Sequence, residues 1–369
     1  MTKKTRICFV LLTTYGYFNP DAATAQGGGS RQYYMLSRAL ADEYDVHFIV
    51  GDYGQPETET REGVTLHRAY GFQDGGGLLH KPAQFYALYR AMRRADADIY
   101  VYRGYPWKAA FVYALTRILG RDWVYNINSD DHFRSYRELP PPVRWLFEHG
   151  IASASEVLVQ TPEQADQTRA TFGRDPAVIP NGYYPAEDTL PHDEREFFLW
   201  VGRLDREQKQ PCRYLDLAAR VPEASFLMIG TGMDRITEAE YQRALRHRID
   251  ELDNLTFLGP VNPEDVHDYY RRAIALINTS RYEGYPSTFP EAWRQDTPVV
   301  TLSLPLSKYV DDVIVDTTGD IDGLVEVVED LATDPAYRAR LSKPTYEHFR
   351  ENLQFDRIVE EYKSALFRT

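Results

Sequence analysis

Two carboxylates eight positions apart, Glu283 and Glu291, mark the segment Arg281-Tyr-Glu-Gly-Tyr-Pro-Ser-Thr-Phe-Pro-Glu291. Gly284 follows the first of them. Thr288-Phe-Pro-Glu291 reads as a capping box, with Pro290 in the first turn of a helix. An apolar run over residues 273–280 leads in, and a short strand-like run over 298–301 follows. Strand, tight loop, helix and strand is the layout in which an open α/β sheet presents a ligand to a loop and a helix N-terminus. Carboxylates on either side of that loop suit a ligand rich in hydroxyls, such as a sugar nucleotide.

Four other segments carry groups of chemical interest. Gly202-Arg203-Leu-Asp-Arg-Glu-Gln-Lys209 follows another strand-like run. Gly202 frees the chain from the sheet edge, so Arg203 and Lys209 can converge on one anion; an exposed charged loop is the bland alternative. Gly230-Thr-Gly232 ends the next strand, either near a nucleotide or as a plain turn. Gly27-Gly28-Gly29-Ser30 opens a helix, where bare amides and the helix N-terminus favour phosphate. A flexible turn with Ser30 as N-cap explains it equally simply. No G-x-G-x-x-G fingerprint is present there. Ser129-Asp130-Asp131-His132 closes a strand. Asp130 or Asp131 could bind an acceptor hydroxyl, His132 could move a proton, and loop capping is the bland reading. The nine histidines are scattered, and no metal is expected.

The elements that must position these groups alternate. In the first half, strand-like runs fall at 7–12, 46–50, 65–69, 99–102, 123–127, 157–159 and 178–179, with helical patterns at 31–43, 84–94, 108–119 and 162–172. After the turn signal Ile179-Pro-Asn181-Gly182 the pattern restarts, with strands at 197–201, 226–229 and 255–258 and helices at 212–221 and 263–272. The reading is α/β: two Rossmann-like domains with parallel sheets facing across a cleft. Residues 1–182 form the first domain, 183–195 a linker, 196–350 the second. Residues 351–369 hold an amphipathic helix over 355–367 that returns to the first domain.

At 369 residues and 43% hydrophobic composition, two domains with real cores are affordable. The net charge of −13 disfavours nucleic acid as a partner, and an anionic substrate then needs a local basic site. Two cysteines offer no disulfide framework, which fits a reduced cytoplasmic setting. No apolar run is long enough to span a membrane. Arg90, Arg93, Arg94, Trp107 and Lys108, and separately Arg144, Trp145 and Phe147, form basic-aromatic stretches. They suit peripheral contact with an anionic membrane, although solvated helix faces explain them too.

The ordered pieces Gly27–Gly29, Val159-Gln-Thr-Pro-Glu-Gln164, Ile179-Pro-Asn-Gly182, Val201-Gly-Arg-Leu204 with Lys209, Leu258-Gly259, Ser280-Arg-Tyr-Glu-Gly284, Pro290-Glu-Ala292 and Thr297-Pro-Val-Val300 resemble the family-four retaining glycosyltransferases of the GT-B fold, over essentially the whole chain. The resemblance implies a nucleotide-sugar donor, UDP- or GDP-linked, as co-substrate, with no further cofactor and no metal. The acceptor it implies is a glycan or lipid-linked saccharide in cell-surface polysaccharide synthesis, handled in the cytoplasm or at the inner face of the plasma membrane. By the same resemblance Arg203 and Lys209 hold the diphosphate, Glu283 meets the donor sugar and Glu291 the ribose. Gly28, Gly29, Gly202, Gly230, Gly232, Gly284, Ser287 and Thr288 line the donor, and His132 and Asn181 lie on the acceptor side. Asp130 and Asp131 stand near the reacting centre, where many members have a histidine. Ser287 and Thr288 replace the usual small and apolar pair, and Asp296 stands where a glycine is common. A sugar-nucleotide epimerase, a phosphorylase, a Rossmann oxidoreductase and a non-catalytic sugar-nucleotide binder are the alternatives. The missing dinucleotide fingerprint argues against the oxidoreductase.

Overall fold

The computed structural model describes residues 4–22, 28–71, 81–233, 236, 238–262 and 265–367. The chain divides into two compact units, Met1–Gly182 with Ile358–Thr369, and Tyr183–Arg357.

Unit 1 is built on eight strands: β1 (Arg6–Val10), β2 (Asp45–Val50), β3 (Thr58–Arg61), β4 (Val64–Arg68), β5 (Ile99–Arg103), β6 (Asp122–Asn126), β7 (Glu156–Val159) and β8 (Ala177–Val178). Their order in the sheet is β3-β4-β2-β1-β5-β6-β7-β8. All neighbours are parallel except β3 and β4. The central strands are buried along nearly every residue, as expected of a sheet covered on both faces by crossover helices. The strand order reverses between β1 and β5, and such a point opens a crevice at the strands' C-terminal ends.

The β3–β4 hairpin is absent from the sequence reading. Its turn, Glu62-Gly63, has positive φ at both residues, 51° and 79°. A two-residue turn of that kind is normally announced by Asn-Gly or Asp-Gly. Here Glu62 accepts the strained position and is held by Arg38, 2.6 Å from its carboxylate, and by the Tyr34 hydroxyl at 3.0 Å. The second basic-aromatic stretch lies on the helix Pro141–Ser153. Phe147 on it is buried against Tyr125 and Tyr136, so it belongs to the core and not to a basic-aromatic surface.

Unit 2 carries β9 (Phe197–Arg203), β10 (Phe226–Thr231), β11 (Leu255–Gly259), β12 (Ala273–Asn278) and β13 (Val299–Thr301), in the order β11-β10-β9-β12-β13, all parallel. Its order reverses between β9 and β12. Residues 183–195 pack on this unit. Arg195 is buried and donates to the carbonyls of Ala273, Gln295 and Leu190 and to the Thr297 hydroxyl. Three helices of unit 2, Ala239–Asp250, Ile321–Thr333 and Pro335–Asn352, lay outside the sequence reading. Residues 263–264, where another helix was expected to begin, lie outside the described residues; that helix is described as Val266–Arg272.

The last helix, Phe355–Leu366, starts in unit 2 and from Ile358 belongs to unit 1. There the Tyr362 hydroxyl accepts from Asn126 at 3.0 Å, Lys363 meets Glu43 at 2.5 Å, and Phe367 stacks on Tyr44 at 4.5 Å.

Candidate functional site

At the reversal point of unit 2, two loops leave neighbouring strands and are sewn together. β9 ends in Gly202-Arg203, and Asp205 then organises the following turn. Its carboxylate accepts from the amides of Gln208 at 2.7 Å and Glu207 at 3.1 Å. Gln210 takes a left-handed conformation, φ 48°, and the helix Pro211–Arg220 follows. From the β12 side, the Arg281 amide donates to the Gln208 carbonyl at 2.8 Å. The Thr279 hydroxyl donates to the Lys209 carbonyl at 2.8 Å, and Trp200 Nε1 donates to that same hydroxyl at 2.9 Å.

This backbone stitching brings the side chains into one chain. Lys209 Nζ forms an ion pair with Glu283 Oε1. Gln208 Nε2 donates to Glu283 Oε2 at 3.3 Å, and Arg203 Nη2 donates to Gln208 Oε1 at 2.9 Å. The Lys209 and Glu283 side chains are 15% and 11% exposed, while Arg203 is exposed. Arg203, Lys209 and Glu283 therefore lie in one cluster. Gln208, the residue that links them, was missed by the sequence reading, because a glutamine inside a charged loop carries no signal.

Gly202, Gly230 and Gly232 belong to the same edge. Gly202 pairs with Gly230 across β9 and β10. A Cβ at Gly230 would lie 2.8 Å from Leu204 Cδ2 and 2.9 Å from Phe257 Cε2. Gly232, at φ 85°, turns the chain out of β10. Gly230 and Gly232 line a cavity of about 340 Å³ with Met233, Phe257 and Gly259.

Gly284 bends the chain toward the short helix Thr288–Trp293. The expected capping box does not form: the N-cap is Ser287, and no side chain caps the helix. Glu291 is instead buried and pairs with Arg294 at 2.9 Å and His267 at 3.4 Å. A buried carboxylate beside a buried guanidinium is better served by that pair than by a solvent-exposed amide. Asp296, where the resemblance leads to an expectation of glycine, has φ 54° and meets His192 at 3.2 Å.

In unit 1 the expected acidic residues have local partners. Asp130 accepts from Gln164 Nε2 at 2.8 Å, and Asp131 pairs with exposed Arg134 at 2.6 Å. His132 is buried with Nδ1 3.2 Å from the Tyr125 hydroxyl, and burial pulls its pKa down to about 4. It is therefore a neutral ring near pH 7. Asn181 is buried and accepts from Arg103 Nη1 at 3.1 Å. Gly28 and Gly29 begin the helix Gly28–Leu40, while Gly27 lies outside the described residues. Among the described residues, no group of three or more His, Cys, Asp or Glu gathers in metal-binding fashion.

The sequence profile described as Glycosyltransferase Family 4 matches residues 26–187, and that described as Glycosyl transferases group 1 matches residues 186–348. The chain belongs to the family-four glycosyltransferases. D-inositol 3-phosphate glycosyltransferase of Kribbella flavida is 26% identical, with 93% of this chain and 91% of that protein covered. Among solved structures, sucrose-phosphate synthase from Thermosynechococcus elongatus superposes with a TM-score of 0.77 at 19% identity, covering 99% of this chain and 98% of that one. Anabaena HepE in complex with UDP-glucose gives a TM-score of 0.73 at 15% identity, covering 98% and 99%. The fold of this family-four member is GT-B. Among its described residues no helix is long and apolar enough to cross a membrane.

Proposed function

We propose that the chain transfers a sugar, with retention and without a metal ion, from a UDP- or GDP-linked donor to a glycan or lipid-linked acceptor. The observation that carries this reading is the Arg203–Gln208–Glu283–Lys209 cluster at the reversal point of the unit 2 sheet. The diphosphate of a sugar-nucleotide donor brings two negative charges to a place where one exposed guanidinium and one ammonium wait. The ammonium is already engaged by Glu283. Phosphate oxygens compete for it, and Glu283 is then released toward donor-sugar hydroxyls. The same two cations stabilise the charge that builds on the departing diphosphate. Gly284, Ser287 and Thr288 adjoin Glu283 in sequence, and Glu291 is assigned to the ribose. The cavity beside Gly230 and Gly232 suits the base. Asp130, Asp131 and His132 are assigned to the acceptor side, with Asn181 positioning Arg103. The UDP-glucose bound by HepE supports a UDP donor. Exposed Trp145 beside Arg144 supports peripheral contact with the inner membrane face in a cell-surface glycan pathway.

A panel of nucleotide sugars tests this by thermal stabilisation. The true donor at 100 times its dissociation constant adds about 2.7 kcal/mol. Arg203→Ala weakens nucleoside diphosphate binding by roughly 1.5–3 kcal/mol, as for a lost charge-assisted bond. Unchanged affinity in that variant removes Arg203 from the diphosphate. Turnover abolished by EDTA, or an inverted product anomer by NMR, overturns the mechanism.

A further inference from the structure

A cavity of about 280 Å³ opens at the reversal point of the unit 1 sheet, and its described lining residues belong to that unit. Most of its wall is apolar or aromatic, with Phe85, Leu88, Tyr102, Trp107 and Phe111 prominent. Among the described residues its charged lining consists of Arg103 and Lys108, with no carboxylate. In a chain of net charge −13, a described lining with two basic residues and no acid is a local reversal of sign.

Arg103 is the sharper of the two. It ends β5 and is 4% exposed. Nη1 donates to Asn181 at 3.1 Å, and Nη2 lies 3.2 Å from the Gln160 side-chain oxygen in the amide orientation that satisfies its neighbours. Its Nε has no hydrogen-bond partner, and among the described residues no carboxylate pairs with it. A Cβ at Gly29 would lie 3.3 Å from that Nε. The guanidinium thus sits under the first turn of the 13-residue helix Gly28–Leu40, whose N-terminal amides are also positive. Two positive groups held together out of water repel one another, and an anion beside them removes the repulsion. Lys108, packed over the Trp107 ring at 5.2 Å, has its pKa lowered by burial, which an anion would reverse.

We propose that this cavity receives an amphipathic organic anion as acceptor: a phosphate or carboxylate read by Arg103 and Lys108, carried on an apolar body the size of one ring. The volume stands at the small end for ligand sites, and an apolar wall does not match the hydroxyls of a bare saccharide. The inference rests on the transferase reading and narrows its acceptor, putting an amphipathic anion in place of a bare glycan.

Calorimetry on the full chain with phenyl phosphate, inorganic phosphate and phenol tests it, with and without saturating UDP. Phenyl phosphate is expected to bind at least tenfold more tightly than either fragment, in the presence of UDP as in its absence. Arg103→Gln keeps a donor toward Asn181 and removes the charge. It is expected to lose tenfold or more for phenyl phosphate while phenol binding is unchanged. Lys108→Gln, at a half-buried position, provides the second reading should Arg103→Gln fold poorly. Displacement by UDP assigns the anion site to the donor diphosphate and overturns the proposal. Equal affinity for phenyl phosphate and inorganic phosphate, or no effect of either variant, overturns it too. A failed nucleotide-sugar panel alongside intact phenyl phosphate binding locates the failure in the transferase reading instead.

Discussion

Lys209 and Glu283 form a largely buried ion pair of unit 2, and the losses on removing each partner should exceed, when summed, the loss on removing both. In Lys209→Met the Glu283 carboxylate, 11% exposed, keeps among the described residues Gln208 Nε2 at 3.3 Å. A fully buried pair broken in this way loses 3–5 kcal/mol, and an exposed one at most about 1 kcal/mol. With slight solvent contact and one hydrogen bond remaining, the expected loss is about 1.5–3 kcal/mol. Unit 2 runs from residue 183 to 357, and for a body of that size each kcal/mol moves the melting temperature by about 2–4 °C. Glu283→Gln alone strands the ammonium and should lose a similar amount. The double variant leaves two neutral side chains and should recover about 1–2 kcal/mol relative to the sum of the singles. Urea titration followed by hydrogen exchange at β9 and β12 amides isolates unit 2 from unit 1. Additive losses, with a coupling under about 0.5 kcal/mol, would show that the pair holds nothing and that its geometry is incidental.

Two more expectations concern stability. His67 is buried, 2.7 Å from His47, and burial first, then the His47, Arg94 and Arg6 charges, lower its pKa to about 3. The unfolded chain then binds more protons below pH 6.5, so the contribution is full above that pH and fades as pH falls toward 3. Between pH 6.5 and 5 the loss is about 2 kcal/mol from His67. His47, also lowered chiefly by burial, adds in the same direction. Urea midpoints for β1 and β2 amides that stay level across this range would refute it, and His67→Gln should flatten the slope. Gly230→Ala forces a methyl to 2.8 Å from Leu204 and 2.9 Å from Phe257. It should cost about 1–3 kcal/mol by overpacking, and thermal melts that match the parent would show that Leu204 yields freely.

The two sheets were legible because their buried strands read as apolar runs at regular intervals, and each β-run from 7–12 to 298–301 has its strand. What was illegible has local causes. Glu62 occupies a turn position that usually advertises itself with glycine or asparagine, so β3 went unseen. The helices of residues 239–250 and 335–352 are polar over most of their surface, and Pro344 lies inside the second. Glu291 satisfied a capping pattern that the structure does not use, because Arg294 three residues on competes for the same carboxylate. Arg103 read as an unremarkable residue after a strand. Its distinction is burial with no acid among the described residues, which depends on Asn181 and Gly29, distant in sequence and joined to it only by the fold.

The contrast between the two reversal points is an electrostatic argument in itself. In unit 2 each site cation has an acidic or polar partner in place, Lys209 with Glu283 and Arg203 with Gln208. Such a site is stable when empty and binds an anion by exchange, giving up one partner for another. In unit 1 Arg103 has amide partners and an aromatic face, Tyr33 at 5.7 Å, and among the described residues no carboxylate. A site of this kind gives nothing up when an anion arrives, so it gains affinity from the whole interaction and not from a difference. The first arrangement favours a ligand that must leave after each turnover with an added charge to disperse. The second favours a ligand selected for carrying a charge at all. Installing a partner should therefore cost the unit 1 site its anion. Gly29→Asp would place a carboxylate beside Arg103, with its Cβ 3.3 Å from Nε, and phenyl phosphate binding measured by calorimetry should fall at least tenfold. Unchanged affinity in that variant would show that the Arg103 guanidinium does not read the anion.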